Sequence, residues 1–118
     1  MTVETDTTPA ESTPDGPVQI ESGDHLTDVV ASNDVVLVDF YADWCGPCQM
    51  MEPTLETVAA ETDAAVLKVD VDQFQQLAGT YQVQGIPTLL VFVDGELADR
   101  MVGVQSEDQL RAAVLQAD

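Results

Sequence analysis

The feature that most constrains the fold is an apolar run followed at once by two closely spaced cysteines. The run Val35–Tyr41 reads Val-Val-Leu-Val-Asp-Phe-Tyr and lacks the alternation of a half-exposed strand. Such a run predicts a central strand covered on both faces, as in α/β sheets. A helix-like stretch begins near Cys45. The pattern therefore predicts a strand–helix unit with Cys45 and Cys48 on the first turn of the helix.

The helix that follows is predicted to cover residues 45–62. Its apolar face is formed by Met50, Leu55, Val58 and Ala59. Pro53 lies inside this stretch. Because proline removes a backbone hydrogen bond, we predict a kink there.

The remaining segments continue the alternation of strands and helices. Ala65–Asp70 predicts a strand, and Asp72 is the expected cap of a short helix that ends near Tyr81. Residues 88–93 and Glu96–Val102 predict a hairpin around an Asp-Gly turn. A short strand and a helix are also expected before the run Val35–Tyr41, and a last helix from about residue 106. The element order is then βαβαβαββα, which indicates an α/β sheet.

The chain divides into a tail and one domain. Residues 1–17 are rich in Thr, Glu, Asp and Pro and contain almost no large apolar side chains, so we expect a disordered acidic tail. Residues 18–118 are expected to form a single domain, because a chain of 118 residues holds one core and hardly two.

The charge excludes several classes of function. There are 22 acidic residues against three basic ones, for a formal net charge of −19. Nucleic-acid binding needs Lys and Arg for the phosphates, and anionic membrane surfaces repel such a chain, so we expect neither partner. Two explanations of the charge remain open. One is adaptation to molar salt, where the Debye length is only ~3 Å, and the other is steering toward a basic partner. The spread of the acids over the whole chain favours the first.

The cysteine count and the N-terminal sequence bear on the compartment. The chain has two cysteines, in a spacing typical of redox pairs, which fits a reducing compartment. Its N-terminal stretch does not resemble a secretory signal, and its apolar runs are shorter than the ~18 residues that cross a bilayer. We therefore expect a cytoplasmic location.

Cys45 and Cys48 have the spacing of a redox-active pair. On the first turn of a helix two such thiols can close a small ring, and the helix N–H groups and dipole stabilise a thiolate. We predict that Cys45, nearest the helix start and partly exposed, is the nucleophile, and that the more buried Cys48 is the resolving thiol. A purely stabilising disulfide is disfavoured, because so short a ring constrains the unfolded chain little. Two cysteines and the distant His25 do not complete a tetrahedral metal site, so we expect no metal.

Asp39 is the unusual residue of its strand. A carboxylate between Val38 and Phe40 is costly to bury in its charged form, so desolvation should raise its pKa. A raised pKa would make Asp39 a usable base near neutral pH. The alternative is an acid at the end of the strand that points into solvent.

Three segments together resemble the thioredoxin family. Residues 38–48, Val-Asp-Phe-Tyr-Ala-Asp-Trp-Cys-Gly-Pro-Cys, resemble its active-site segment. Gly-Ile-Pro-Thr at 85–88 and Val-Gly at 102–103 resemble two further segments of the family in the right order. The resemblance covers about residue 18 to the C-terminus. It implies the thioredoxin fold, a five-stranded mixed sheet in the order 1-3-2-4-5 with the last two strands antiparallel and helices on both faces.

The resemblance also implies roles for individual residues. Asp39 would lie behind Cys48 and accept its proton as a general base, and Lys68 would neighbour and tune Asp39. Pro87 would be a cis-proline opposite the cysteines, so that the backbone of Ile86 is presented to an extended substrate. The implied substrate-binding surface consists of Trp44, Gly46, Pro47, Ile86, Pro87, Val102, Gly103 and Val104.

The function implied is that of a protein-disulfide reductase, recharged by a thioredoxin reductase and acting on disulfide-containing proteins. Its only redox group would be the Cys45–Cys48 disulfide, with no cofactor, and we expect a monomer. The sequence has no Gly-rich nucleotide fingerprint, so we expect no bound dinucleotide.

Two alternatives stay open. One is a disulfide oxidase or isomerase of the same fold, although Gly46-Pro47 is the pair found in reducing thioredoxins. The other is a non-enzymatic, redox-switched binding subunit. Gln49 also departs from the family, which usually has a basic residue there, so the thiolate is expected to be stabilised less.

Overall fold

The computed structural model describes residues 16–116, so all but the last two residues of the expected tail lie outside the described residues. The strands are β1 Val18–Gln19, β2 Val35–Tyr41, β3 Ala65–Asp70, β4 Thr88–Val93 and β5 Glu96–Val102. The helices are α1 Gly23–Ser32, α2 Gly46–Met50, α3 Glu52–Glu61, α4 Gln75–Thr80 and α5 Glu107–Gln116.

The strands form one five-stranded mixed sheet in the order β1-β3-β2-β4-β5. Strands β1, β3 and β2 run parallel, whereas β4 is antiparallel to both β2 and β5. The predicted order 1-3-2-4-5 is confirmed. Strand β2 lies at the centre, and all seven of its residues are buried. This burial on both faces explains why its sequence does not alternate between apolar and polar residues.

Helices cover both faces of the sheet, as expected. On one face α1 and α4 pack against Val36, Val38 and Phe40 of β2. On the other face α3 and α5 pack against Leu37 of β2 and Leu89 of β4. Because side chains alternate along a strand, Asp39 lies on the same face as Leu37, the face that α3 covers.

The hairpin between β4 and β5 turns at Asp94 and Gly95, as the sequence predicts. Both residues have positive φ values, 51° and 86°. A two-residue turn with this backbone suits the twist of the flanking strands, and Asp-Gly adopts it readily. Strand β5 leaves this turn and ends at Val102, next to the candidate site.

The single helix predicted over residues 45–62 is wrong, although the helical stretch is interrupted two residues before Pro53, close to the predicted kink. The structure has two helices, α2 and α3, which meet at Met51. Pro53 is the second residue of α3, where its missing N–H would have had no partner within the helix in any case.

The expected place of Met50 on the buried face is also wrong, because Met50 is 71% exposed and Met51 is 1% exposed. The buried positions of the two helices include Cys48, Leu55 and Val58, and Met51 is buried at the junction between them.

Candidate active site

The two cysteines lie where the chain leaves the end of β2 and enters α2. Cys45 is the N-cap of α2, and Pro47 stands in the first turn, where its fixed φ favours helix initiation. Cys45 and Cys48 form a disulfide with their Cα atoms 5.3 Å apart, an ordinary separation for this bond. The backbone N–H of Cys48 donates to Sγ of Cys45 at 3.2 Å. A backbone N–H aimed at a sulfur atom from the first turn of a helix is the arrangement that stabilises a thiolate.

Both cysteines are largely covered in this disulfide form. Cys45 is 5% exposed and Cys48 is 2% exposed, so Cys45 is less accessible than we expected. They pack against Tyr41, Ala42 and Ile86 in a small apolar cluster of their own. Attack on a bulky disulfide therefore has to come from the open side of Cys45.

A second segment reaches the disulfide from the loop before β4. The peptide bond between Ile86 and Pro87 is cis, and the carbonyl oxygen of Ile86 lies 4.0 Å from Sγ of Cys45. The N–H of Gly103 donates to the carbonyl of Pro87 at 2.8 Å. Gly103 has a φ of +92°, a backbone conformation that favours glycine. The three segments quoted for the family resemblance thus converge on one edge of the sheet.

Exposed apolar side chains lie on these converging segments. Trp44 is 71% exposed, Val102 61% and Val104 50%, while Gly46 and Pro47 are also exposed. Large apolar side chains at the surface, grouped around a reactive bond, are typical of a protein-docking site. We call this region the apolar rim, in which Ile86 is half-buried and Pro87 is buried; it is defined as Trp44, Gly46, Pro47, Ile86, Pro87, Val102, Gly103 and Val104.

Trp44 is held by Asp72, the residue that the sequence predicts as a helix cap. Its Nε1–H donates to Oδ2 of Asp72 at 2.8 Å, and the backbone N–H of Asp72 donates to Oδ1 of Asp70 at 2.9 Å. The prediction that Asp72 caps α4 is wrong, because Phe74 is the N-cap of that helix. The signal available was the position of Asp72, just past the carboxyl end of β3, at the edge where the cysteines also lie.

Asp39 lies inside the protein on the α3 side of the sheet. Its side chain is fully buried, and neither carboxylate oxygen has a hydrogen-bond partner among residues 16–116. Burial raises the pKa of Asp39 from its ordinary 3.8 to about 7. The positive charge of Lys68 lowers this pKa and the negative charge of Glu52 raises it, both by less than burial does. The expected raised pKa is thus present, and the alternative of a solvent-facing acid is wrong.

Lys68 is next to Asp39 in the sheet but binds another acid. The two residues are register partners on β3 and β2. The Nζ of Lys68 lies 3.0 Å from Oε2 of Glu52 and 4.3 Å from the centre of the Tyr41 ring. Sequence reasoning missed Glu52, because its contact with Lys68 joins residues 16 apart in the chain, a distance at which no periodic pattern gives a signal.

Two other kinds of site can be assessed over the same span. Residues 16–116 contain no cluster of three or more His, Cys, Asp and Glu residues placed to hold a metal ion. In this part of the chain no helix is long and apolar enough to cross a membrane.

Comparisons with known proteins agree with the geometry. The family model described as Thioredoxin matches residues 17–116. The chain is 46% identical over 94 residues to the thioredoxin of Chlamydia trachomatis, covering 79% of this chain and 91% of that protein. It is 45% identical over 95 residues to the thioredoxin of Mycobacterium bovis, covering 79% and 82%. Among solved structures, a point mutant of the thioredoxin from Halobacterium salinarum NRC-1 superposes with a TM-score of 0.86 at 53% identity, covering 89% of this chain and 93% of that one.

Proposed function

The chain belongs to the thioredoxin family of disulfide oxidoreductases, and on that premise we propose that it reduces protein disulfides with Cys45 as nucleophile and Cys48 as resolving thiol. Thioredoxins act by dithiol–disulfide exchange and need no cofactor. One observation carries the assignment of roles. The Sγ of Cys45, at the N-cap of α2, accepts the N–H of Cys48, so the charge of a thiolate is stabilised on Cys45.

The reaction proceeds in two exchanges. The Cys45 thiolate attacks one sulfur of the substrate disulfide, so that bond breaks, a Cys45–substrate disulfide forms and the first substrate thiolate leaves. Asp39 then accepts the proton of the Cys48 thiol as general base. The Cys48 thiolate attacks Sγ of Cys45, which releases the second substrate thiolate and restores the Cys45–Cys48 disulfide. Two electrons pass to the substrate.

Substrates dock on the apolar rim. An extended segment of the substrate pairs with the backbone of Ile86, whose carbonyl oxygen is 4.0 Å from Sγ of Cys45. Exposed side chains of the rim, with Trp44 fixed by Asp72, contact the apolar residues beside the substrate disulfide. Backbone pairing is independent of substrate sequence, which suits a reductase that acts on many proteins.

We infer the cellular setting from what is general in the family and from the charge. A thioredoxin reductase returns two electrons to the Cys45–Cys48 disulfide, and the protein works as a cytoplasmic monomer. The net charge of −19 serves adaptation to high salt, where solvated carboxylates keep the protein in solution and their mutual repulsion is screened. The 53% identity to a thioredoxin from Halobacterium salinarum supports this setting.

Trapping of the mixed disulfide tests the roles of the two cysteines. Cys48→Ser, mixed with oxidised insulin in molar KCl, should accumulate a covalent complex that dithiothreitol dissolves and mass spectrometry locates at Cys45. Cys45→Ser is the matched control and should accumulate at least tenfold less complex. Equal amounts of complex in the two variants would contradict the assignment. So would a complex that forms only in Cys45→Ser, with the substrate bonded to Cys48.

A further inference from the structure

Glu52 stands at the junction between α2 and α3. It is the first residue of α3, directly after Met51. Its side chain is 47% exposed, and its Oε2 atom lies 3.0 Å from Nζ of Lys68. Lys68 is the only lysine of the chain, and its side chain is 12% exposed. The two charges therefore meet at the border between solvent and the interior.

The same lysine stands beside a second acid in the sheet. Asp39 and Lys68 are register partners on parallel strands, and such partners project from the same face of a sheet. An aspartate and a lysine so placed commonly form an ion pair. Instead, Nζ of Lys68 lies between Glu52 and the Tyr41 ring, and Asp39 keeps both oxygens without a hydrogen bond from any residue the structure describes.

We propose that Glu52 is a positioning residue of the redox centre, which competes with Asp39 for the Lys68 ammonium and so leaves Asp39 a free base for the Cys48 proton. The proposal rests on the role given to Asp39 under the proposed function and adds its regulation. An Asp39 paired with Lys68 would hold its negative charge more firmly and accept a proton less readily. Glu52 prevents this pairing without touching the reacting atoms.

The charges around Asp39 make its basicity depend on Glu52. From β3 it faces Lys68, and from α3 it faces Glu52, with opposite effects on its pKa. Tyr41 is the titratable group on its own strand, and burial raises the pKa of Tyr41 as well. From β4 its register partner is the apolar Leu89. At the start of α2, the two cysteines titrate only after the disulfide is reduced.

Ionic strength should act on these charges unequally. Glu52 is half exposed, so salt screens its charge strongly, whereas the more buried Lys68 is screened less. Raising the salt concentration therefore weakens the effect of Glu52 first and should lower the pKa of Asp39. Glu52 thus links the basicity of the site to the salt concentration.

The test is a carboxyl ¹³C NMR titration of Asp39 in the oxidised protein, at 0.1 M and 3 M KCl. Glu52→Gln should lower the pKa of Asp39 by on the order of one unit at low salt and remove most of its salt dependence. Glu56→Gln is the matched control. It removes the same charge one turn along α3, beside the small cavity of about 190 Å³ that Glu52 and Lys68 also line. Glu56→Gln should leave the pKa of Asp39 and its dependence on salt as they are in the wild type.

The same substitution made in a protein without Lys68 distinguishes two explanations. One is competition of Glu52 and Asp39 for the Lys68 ammonium, and the other is direct repulsion between the two carboxylates. In Lys68→Met, Glu52→Gln should shift the pKa of Asp39 by less than half of the shift seen with Lys68 present. Equal shifts in the two backgrounds, or a wild-type pKa in Glu52→Gln, would overturn the proposal. The titration does not depend on turnover, so its failure is distinguishable from failure of the reductase assignment, which the trapping of mixed disulfides tests separately.

Discussion

Asp39 and Lys68 stand opposite each other on neighbouring parallel strands, yet the ammonium of Lys68 lies 3.0 Å from Glu52. Asp39 itself is a buried acid without a hydrogen bond from residues 16–116, and desolvation is the main cause that raises its pKa to about 7. At neutral pH such a carboxyl group is about half ionised. It can therefore both accept a proton from a thiol and lose it again, which is what each turnover requires of a general base.

Asp39→Asn should slow the resolving step and leave the first exchange nearly unchanged, because asparagine accepts no proton. General bases contribute typically ~10²–10⁴-fold, and solvent bases replace part of this, so we expect a loss of about tenfold to a hundredfold at pH 7. Stopped-flow decay of a preformed Cys45–substrate disulfide measures the resolving step directly. The rate at which that disulfide forms is the control. Equal decay rates in the two proteins would remove Asp39 from the mechanism.

The pKa of Asp39 also predicts how stability depends on pH. Folding raises this pKa from 3.8 to about 7, so between these values the folded protein binds more protons than the unfolded chain. The contribution of Asp39 to the free energy of unfolding is therefore greatest below about pH 4 and falls as the pH rises to 7, by at most roughly 4 kcal/mol.

The measurement is urea unfolding of the oxidised protein at pH 4.5 and pH 8. Asp39→Asn should gain stability relative to the wild type at the higher pH, and the difference between the two proteins should shrink at the lower pH. A difference that does not change with pH would mean that Asp39 has no raised pKa in the folded protein.

Asp72 should matter for docking because it fixes Trp44. Asp72→Ala removes the acceptor of the 2.8 Å indole hydrogen bond, so Trp44 loses its fixed orientation at the apolar rim. We expect kcat/KM for a protein disulfide to fall about fivefold, in the range of one lost hydrogen bond of ~1 kcal/mol. Asp72→Asn keeps an acceptor oxygen and is the conservative control. An unchanged kcat/KM in Asp72→Ala would show that the orientation of Trp44 is irrelevant to docking.

Two adjacent methionines test which face of α2 and α3 is buried. Met51 is 1% exposed, so Met51→Ala should lower the free energy of unfolding by about 2–5 kcal/mol. Met50 is 71% exposed, so the same change there should stay within about 0.5 kcal/mol. Equilibrium unfolding of both variants measures the two effects. The reverse order would place Met50, and not Met51, on the buried face.

The sequence predicts this fold well where local pattern and burial agree. The run Val35–Tyr41 lacks alternation because both of its faces are covered, and Asp94-Gly95 has the residues that its turn requires. Met50 does not belong to the apolar face, because it lies five residues before Leu55, whereas the buried Met51 lies four residues before it and fits the helical period. Asp72 and Glu52 act on partners 28 and 16 residues away, and contacts of this kind leave no periodic signal.

The reduction potential of the Cys45–Cys48 pair, measured in molar KCl, shows whether this chain is a reductase or a donor of disulfides. Fluorescence of Trp44, the only tryptophan, reports the redox state during equilibration with a dithiol buffer. For a reductase we predict a reduction potential near the ~−270 mV typical of thioredoxin. A value near ~−180 mV or ~−120 mV, as in disulfide isomerases and strong oxidants, would contradict it and make this chain a donor of disulfides rather than a reductase.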